Sequence, residues 1–134
     1  MRRPRFRVKR AKLAEVSREE SDGLRRPPVD GVDRQNGNVV VRLAGEIDLY
    51  NAAEVGSTLE EIVGSDPARI VVDLGQVDFV DSTALGTLIE ARKQLSNGRF
   101  VLAAPGLNVR RALEVAGLLE HFDVHESVDA ALAS

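Results

Sequence analysis

An acidic residue and two hydroxyls stand together where an apolar stretch gives way to a helical pattern. The segment VDFVDSTALGTLIEARK, residues 77–93, places Asp81 directly before Ser82 and Thr83. Such residues often cap helices, because their oxygens accept hydrogen bonds from the N–H groups of a first turn. A single side chain is enough for a cap. The surplus hydroxyls therefore also indicate a site where a charged group is added and removed.

A second polar cluster, GEID at residues 45–48, follows an earlier apolar stretch. If both stretches are parallel strands, their carboxyl ends meet at one edge of the sheet, where open α/β folds hold their functional sites. Asp48 would then lie near Asp78 and Asp81 and form an acidic rim around a hydroxyl. A solvated turn is the simpler interpretation of this cluster, but like charges are not gathered for stability.

The pattern of the whole chain predicts the elements that would position these residues. Strands are predicted over 29–34, 38–44, 69–74, 100–104 and 122–125, with helices of about 52–63, 83–96, 109–116 and 127–132 between or after them. Asn36 and Gly37 predict the turn of an antiparallel hairpin. The alternation of the other strands with helices predicts parallel pairing. The fold class is therefore α/β: a small, mostly parallel sheet with an antiparallel edge hairpin, flanked by helices.

Capping residues predict where the helices begin and end. Asn51 and Glu54 match a capping box, in which each side chain bonds the backbone N–H of the other residue. Gly64 is predicted to end that helix in a left-handed conformation. Asn108 is predicted to cap the third helix, and Gly117 to end it. These boundaries place both polar clusters at strand-to-helix turns.

The charge of the chain is divided unevenly. Residues 1–26 carry ten Lys and Arg against four acids, a net charge of +6, and the other 108 residues carry eight against seventeen, a net of −9. The first part has too little apolar surface to offset its ordering entropy. We expect residues 1–27 to be a basic, mostly disordered extension and 28–134 to be one domain. We interpret the extension as a solvated arm, or as residues upstream of the true start codon, without direct contact to nucleic acid.

Composition argues against several functional classes. The chain has no cysteine, which excludes disulfides and thiolate metal sites, and no apolar run long enough to span a membrane. Without a secretory signal pattern, a cytoplasmic location is expected. No Walker loop, G-x-G-x-x-G loop or G-x-S-x-G elbow occurs, so we expect no cofactor and no catalytic residue. His121 and His125 lack an evident third ligand, and we interpret them as solvated residues that hold no metal.

Taken together, these motifs resemble the anti-sigma factor antagonist family, the single-domain STAS proteins. GEIDLYNAAEV at residues 45–55 is similar to the family's G-E-[IL]-D element, and VVDLGQVDFVDSTALGTLIEARK at residues 71–93 contains its D-S-[ST]-G-L-G element. The similarity continues through residues 116–118. It covers about residues 28–134 and implies a STAS fold without enzymatic activity.

The resemblance also implies a phosphorylation switch. In the family, the first hydroxyl of the D-S-[ST] element is phosphorylated by a partner that is both kinase and anti-sigma factor. This position maps onto Ser82, with Thr83 as second choice. The unmodified protein would bind this serine/threonine kinase and release a sigma factor, and a serine phosphatase would reset the phosphorylated form. The loop of Asp48 and the start of the second helix would contact the kinase. The expected partner-binding residues are Asp48, Asp78, Asp81, Ser82, Thr83 and Ala84.

One position departs from the family pattern. Ala84 stands where the family usually has Gly, and its methyl would restrict the approach of a partner's backbone. The alternative function is a STAS binding module without the switch, which docks a transporter or a larger signalling complex. Phosphorylation by the cognate kinase separates the two functions.

Overall fold

A computed structural model describes residues 26–134. Within this range, five strands and four helices follow one another in the predicted order. The strands are β1 (Val29–Gln35), β2 (Asn38–Ile47), β3 (Arg69–Val80), β4 (Arg99–Ala103) and β5 (Asp123–His125). The helices are α1 (Ala52–Gly64), α2 (Ser82–Gln94), α3 (Leu107–Val115) and α4 (Val128–Ala133). The prediction of a disordered extension falls outside the described residues, apart from Arg26 and Pro27.

The strands form one sheet in the order β1-β2-β3-β4-β5. β1 pairs antiparallel to β2, and the other neighbouring pairs are parallel. The hairpin turn lies at Asn36 and Gly37, whose φ angles of 56° and 81° are those that a tight hairpin turn requires. The predicted class, an α/β fold whose mostly parallel sheet has an antiparallel edge hairpin, is confirmed.

Two central strands run further than the apolar pattern predicts. β2 continues to Ile47 and β3 to Val80, and their pairing resumes after irregularities at residues 42–44 and 45–46. Gly45 has a φ of +78°, which a residue with a side chain adopts only under strain. Glycines and polar residues weaken a strand signal in the sequence, but backbone pairing across the bulges keeps both segments in the sheet.

The core is aliphatic and lies on both faces of the sheet. The larger cluster joins α1, α2 and α3 to one face, and Leu59, Leu102 and Leu113 are among its fully buried members. Ala131 of α4 packs on the opposite face in a smaller cluster. Each such leucine contributes about 1.5–3 kcal/mol through burial. No helix in the described part of the chain is long and apolar enough to cross a membrane.

The capping of α1 differs from the prediction, although the helix Ala52–Gly64 agrees with the predicted 52–63 to within one residue. The Asn51 side chain makes no capping bond to the helix, and its oxygen accepts instead from the backbone N–H of Asp48 at 2.9 Å. The capping box with Glu54 is therefore wrong. Burial of the Glu54 carboxyl raises its pKa, the opposite of what a capping bond to the carboxylate would do. Gly64 is the last helical residue, and Asp66, with a φ of 56°, takes the left-handed position.

The start of α3 also differs from the prediction. The helix begins at Leu107, with Gly106 in the cap position, so Asn108 is a helical residue and not the cap. Its side chain reaches out of the helix toward β3. Gly117 was predicted to end the helix, and it follows Val115 and Ala116 in the left-handed conformation, with a φ of +73°.

Candidate functional site

The two polar clusters meet at the carboxyl ends of β2 and β3. Ile47 of β2 pairs with Val80 of β3, and the backbone N–H of Asp81 donates to the carbonyl of Ile47 at 3.2 Å. Both strands end here because their last apolar side chains are buried while the residues that follow turn into helices. The predicted meeting of the Asp48 loop with the start of α2 is confirmed by this pairing.

Asp81 binds two elements with one carboxylate. One oxygen accepts from the backbone N–H of Ala84 at 2.9 Å, which caps α2. The other oxygen accepts from the backbone N–H of Leu49 at 3.0 Å, in the loop between β2 and α1. A negative charge at a helix N-terminus is also favoured by the helix dipole. Asp81 therefore fixes the position of α2 relative to that loop.

Ser82 and Thr83 occupy the first turn of α2, and both are exposed. Neither supplies the cap, because Asp81 already does. The Thr83 carbonyl accepts a hydrogen bond from the Thr87 hydroxyl at 3.1 Å, so its backbone is held within the helix. Of the three residues that the sequence offered as caps, Asp81 is the one that caps α2, and the hydroxyls do not. Both hydroxyls face solvent at a helix N-terminus.

The loop around Asp48 is closed by its own polar groups. The Asp48 carboxylate accepts from the backbone N–H of Tyr50 at 3.0 Å, and its carbonyl accepts from the N–H of Ala52 at 2.8 Å. The Asn51 amide donates to the carbonyl of Glu46 at 2.8 Å. These bonds make a compact turn, so the side chains it carries have a defined direction at the edge of the sheet.

Asp78 brings the start of α3 to the same edge. The side chain of Asp78 is exposed. Its backbone carbonyl accepts from the side-chain amide of Asn108 at 3.4 Å. Asp48, Asp78 and Asp81, which the sequence predicts to lie near one another, thus lie on segments that end at one edge. Leu107, the residue before Asn108, lies at this edge because it is the first residue of α3.

Large exposed apolar residues lie at the same edge as the acids, and their exposure was not predicted from the sequence. Within residues 26–134, six large hydrophobic side chains are exposed, and four lie at this edge: Leu49 (61%), Tyr50 (82%), Phe79 (50%) and Leu107 (72%). For Leu49, Tyr50 and Phe79 the signal in the sequence was a position beside a strand-end acid, whereas Leu107 stands between Gly106 and Asn108 and carries no such signal. We call these four residues, with Asp48, Asp78 and Asp81, the edge surface.

A shallow groove continues from Thr83 along the helices. It has a volume of about 400 Å³ and runs between α1 and α2. Small side chains leave it open. Its lining residues are Ala52, Ala53, Gly56, Glu60, Thr83, Gly86, Thr87, Glu90, Ala91 and Gln94. The exposed face of α2 is therefore accessible from the edge surface along most of its length.

Ala84 does not face this surface. Its side chain is 3% exposed and belongs to the larger core cluster. The methyl that distinguishes it from the glycine usual in the family points inward, so it cannot restrict the approach of a partner's backbone. That expectation was wrong, because the helical register of the first turn was not known from the sequence.

The two histidines lie apart from the edge surface. His121 is exposed and contacts the Arg92 guanidinium, and His125, in β5, lies 3.0 Å from the Asp123 carboxylate. No group of three or more His, Asp or Glu among residues 26–134 is arranged to hold a metal ion. Each histidine is instead engaged in a local polar contact.

Comparison with known proteins assigns the fold and motifs to a family. The STAS domain matches residues 31–131. The anti-sigma-F factor antagonist RsfB of Mycobacterium tuberculosis is 32% identical over 98 residues, which cover 72% of this chain and 80% of that protein.

Solved structures give the same assignment. An anti-sigma factor antagonist from Mycobacterium paratuberculosis is 31% identical, with a TM-score of 0.72 over 76% of this chain and 88% of that chain. The Bacillus protein SpoIIAA in its phosphorylated form shares the fold, with a TM-score of 0.61 at 20% identity over 77% and 96% of the chains. Anti-sigma factor antagonists act by binding and are not enzymes. The chain belongs to the STAS domain family and, within it, to the anti-sigma factor antagonists.

Proposed function

We propose that the unmodified protein binds an anti-sigma factor serine/threonine kinase in the cytoplasm and thereby releases a sigma factor. The kinase then phosphorylates Ser82, which ends the interaction, and a serine phosphatase restores the binding form. The observation that carries this proposal is the exposed Ser82 hydroxyl at the N-terminus of α2, where Asp81 already supplies the helix cap. Because the Ser82 hydroxyl is not the helix cap, it can be modified without loss of the fold.

The phosphoryl transfer requires nothing catalytic from this chain. The Ser82 oxygen attacks the γ-phosphorus of ATP, the bond to the β-phosphate oxygen breaks, ADP leaves, and the hydroxyl proton passes to a base of the kinase. The kinase supplies that base and the groups that stabilise the transferring phosphoryl group. What this chain contributes is a hydroxyl held in place by the first turn of α2.

A phosphate at Ser82 is compatible with the free protein. The helix N-terminus favours an anion by roughly 0.3–1 kcal/mol, while the neighbouring Asp81 and Asp78 oppose it. Because the site is exposed, water screens both effects. We therefore expect phosphorylation to leave the fold unchanged, and the phosphorylated form of SpoIIAA, which has the same fold, supports this expectation.

The same phosphate would exclude a bound partner. It adds about −1.5 to −2 charges at neutral pH, beside acids that a docked kinase would bury. At an interface without water this charge is unscreened and unpaired, which costs several kcal/mol. The Leu49, Phe79 and Leu107 side chains supply the apolar contact area that the unmodified surface offers. The switch then works by electrostatic and steric exclusion, without refolding.

Phosphorylation by the cognate kinase tests the proposal. The protein is incubated with kinase and ATP, separated on a phosphate-affinity gel, and the modified peptide is mapped by mass spectrometry. Thr83→Ala serves as the matched control for Ser82→Ala, since each variant removes one exposed hydroxyl from the same helical turn. We expect Thr83→Ala to shift like the wild type and Ser82→Ala not to shift. A phosphate mapped to Thr83 would contradict the assignment, and no phosphate at all would favour a STAS module without the switch.

A further inference from the structure

We infer that residues 1–25, the basic N-terminal segment, dock in cis on the edge surface and compete there with the partner. The docking itself follows from the position, length and charge of the segment. Its consequence for the kinase rests on the proposed function. The edge surface is the largest collection of exposed apolar side chains in residues 26–134, and this chain carries a segment suited to cover it.

The segment enters the domain at the edge surface itself. β1 runs antiparallel to β2, so the first residues of β1 lie beside the carboxyl end of β2. The Pro28 carbonyl accepts from the backbone N–H of Ala44 at 3.0 Å. A Cβ on Gly45 would lie 3.8 Å from the Cβ of Arg26. Arg26, to which the segment is attached, therefore lies beside Gly45, three residues before Asp48 in the chain.

The charge of the segment complements that of the domain. Residues 1–12 hold seven Lys and Arg and no acid, while residues 27–134 carry a net charge of −9. At the edge, Asp48, Asp78 and Asp81 contribute three of these acids. On the adjoining α3, the Arg110 guanidinium lies 3.5 Å from the Glu126 carboxylate, which offsets its charge. The segment also carries Phe6 and Val8 among its cations, so it offers apolar contacts to the exposed leucines and aromatics.

The segment is long enough to reach the edge surface. Thirteen residues separate residue 12 from Arg26, and a chain spans at most about 3.3–3.6 Å per residue, or roughly 45 Å. A domain of this size has a radius of gyration of about 13 Å, so the cationic stretch can reach any part of the edge. Tethering gives an effective concentration in the millimolar range. Individually weak ionic contacts are therefore enough for substantial occupancy.

Docking in cis would lower the apparent affinity of the domain for its partner. A kinase must displace the segment before it can contact the edge surface, so its apparent affinity falls by the fraction of time that the surface is covered. Phosphorylation at Ser82 would add negative charge to the same surface and strengthen the docking. The docked segment would then help to keep the phosphorylated protein dissociated from the kinase.

Paramagnetic relaxation in the full-length chain tests the docking without any kinase. Because the sequence contains no cysteine, Ala11→Cys gives a single attachment point for a spin label. Amide signals of residues 46–51 and 78–83 are expected to lose most of their intensity, while those of Gly37, Asp66 and Asn97, at the other end of the sheet, are retained. Raising the salt from about 0.1 M to about 1 M shortens the Debye length from roughly 10 to 3 Å and should restore the signals.

Two charge variants make the test specific. Glu46 is an exposed acid near the carboxyl end of β2, beside the edge surface. Glu46→Gln with Asp78→Asn is expected to reduce the signal loss several-fold. Glu61→Gln with Asp66→Asn, which removes the same number of acids at the other end of the sheet, should leave it unchanged. Equal signal loss over the whole domain, or none at the edge, would overturn the inference. A further sample mixes a spin-labelled chain with a separate isotope-labelled chain. Signal loss of the same size in this mixture would assign the docking to a second copy and would also overturn the inference. None of these outcomes bears on whether Ser82 is phosphorylated.

Discussion

Asp81 holds the start of α2 and the loop before α1 together through a single carboxylate. We predict that Asp81→Ala lowers the free energy of unfolding by about 1–3 kcal/mol, because it removes a helix cap and a second bond to a backbone N–H. Urea denaturation measures this loss. Asp78→Ala is the matched control, since Asp78 is an exposed acid three residues earlier, and it should change the free energy by no more than about 0.5 kcal/mol. Equal effects of the two substitutions would show that Asp81 is not the cap.

The exposed apolar residues at the edge should matter for binding more than for folding. We predict that Leu49→Ala and Phe79→Ala each weaken kinase binding by about 1–3 kcal/mol, because large side chains at the centre of an interface carry most of its binding energy. Val115→Ala is the control, since Val115 is 83% exposed but lies at the far end of α3. Calorimetric titration with the kinase measures all three. Wild-type affinity in both edge variants would place the interface elsewhere.

At the residue scale, the sequence was sufficient to place Asp48, Asp78 and Asp81 at one edge of the sheet. The spacing of Asp81, Ser82 and Thr83 after an apolar strand identifies a strand-to-helix turn, and short-range capping rules explain it. The sequence could not show which of the three supplies the cap, because this depends on the helical register. The same uncertainty concealed the inward direction of Ala84. The exposure of Leu49 and Phe79 was also hidden, since an apolar residue near a strand end is ordinarily assigned to the core.

The two glycines that face the groove between α1 and α2 allow a test at the scale of elements. Gly86 lies within α2, and nothing is within 4 Å of the place where a Cβ would stand. We predict that Gly86→Ala raises the free energy of unfolding by about 0.5–1 kcal/mol, because alanine loses less backbone entropy in a helix than glycine. At Gly56 of α1, the same atom would lie 3.4 Å from the Thr87 methyl. Gly56→Ala should therefore gain less. Thermal unfolding of both variants checks this order, and the reverse order would contradict it.

The order and pairing of the elements could be predicted from local signals in the sequence. The exact ends of the strands and helices could not. The turn at Asn36 and Gly37 and the alternation of strands with helices identify the sheet topology. The lengths of β2 and β3 were underestimated, because pairing between strands keeps residues such as Gly45 in the sheet against their own propensity. The Asn51 cap failed for a related reason: its side chain finds better partners in the preceding loop than in the helix.

At the scale of the whole molecule, we expect the domain to fold without the basic segment. Among residues 26–134 the buried hydrophobic residues run from Val39 to Ala131, and the sequence of the segment has too little apolar surface to add to them. We predict that deletion of residues 1–25 changes the free energy of unfolding by less than about 1 kcal/mol, because docking through screened ionic contacts contributes little. Urea denaturation at neutral pH measures this. A loss of several kcal/mol would mean that the segment forms part of the core.

The proposed switch depends on one charge change at the edge surface. The most direct test is calorimetric titration of the cognate anti-sigma factor kinase into the unmodified protein and into protein phosphorylated stoichiometrically at Ser82. If the phosphate is excluded from the interface at a cost of about 3 kcal/mol or more, affinity falls at least about 100-fold, while circular dichroism shows the same fold in both forms. Equal affinity of the two forms would contradict the switch, whatever residue carries the phosphate.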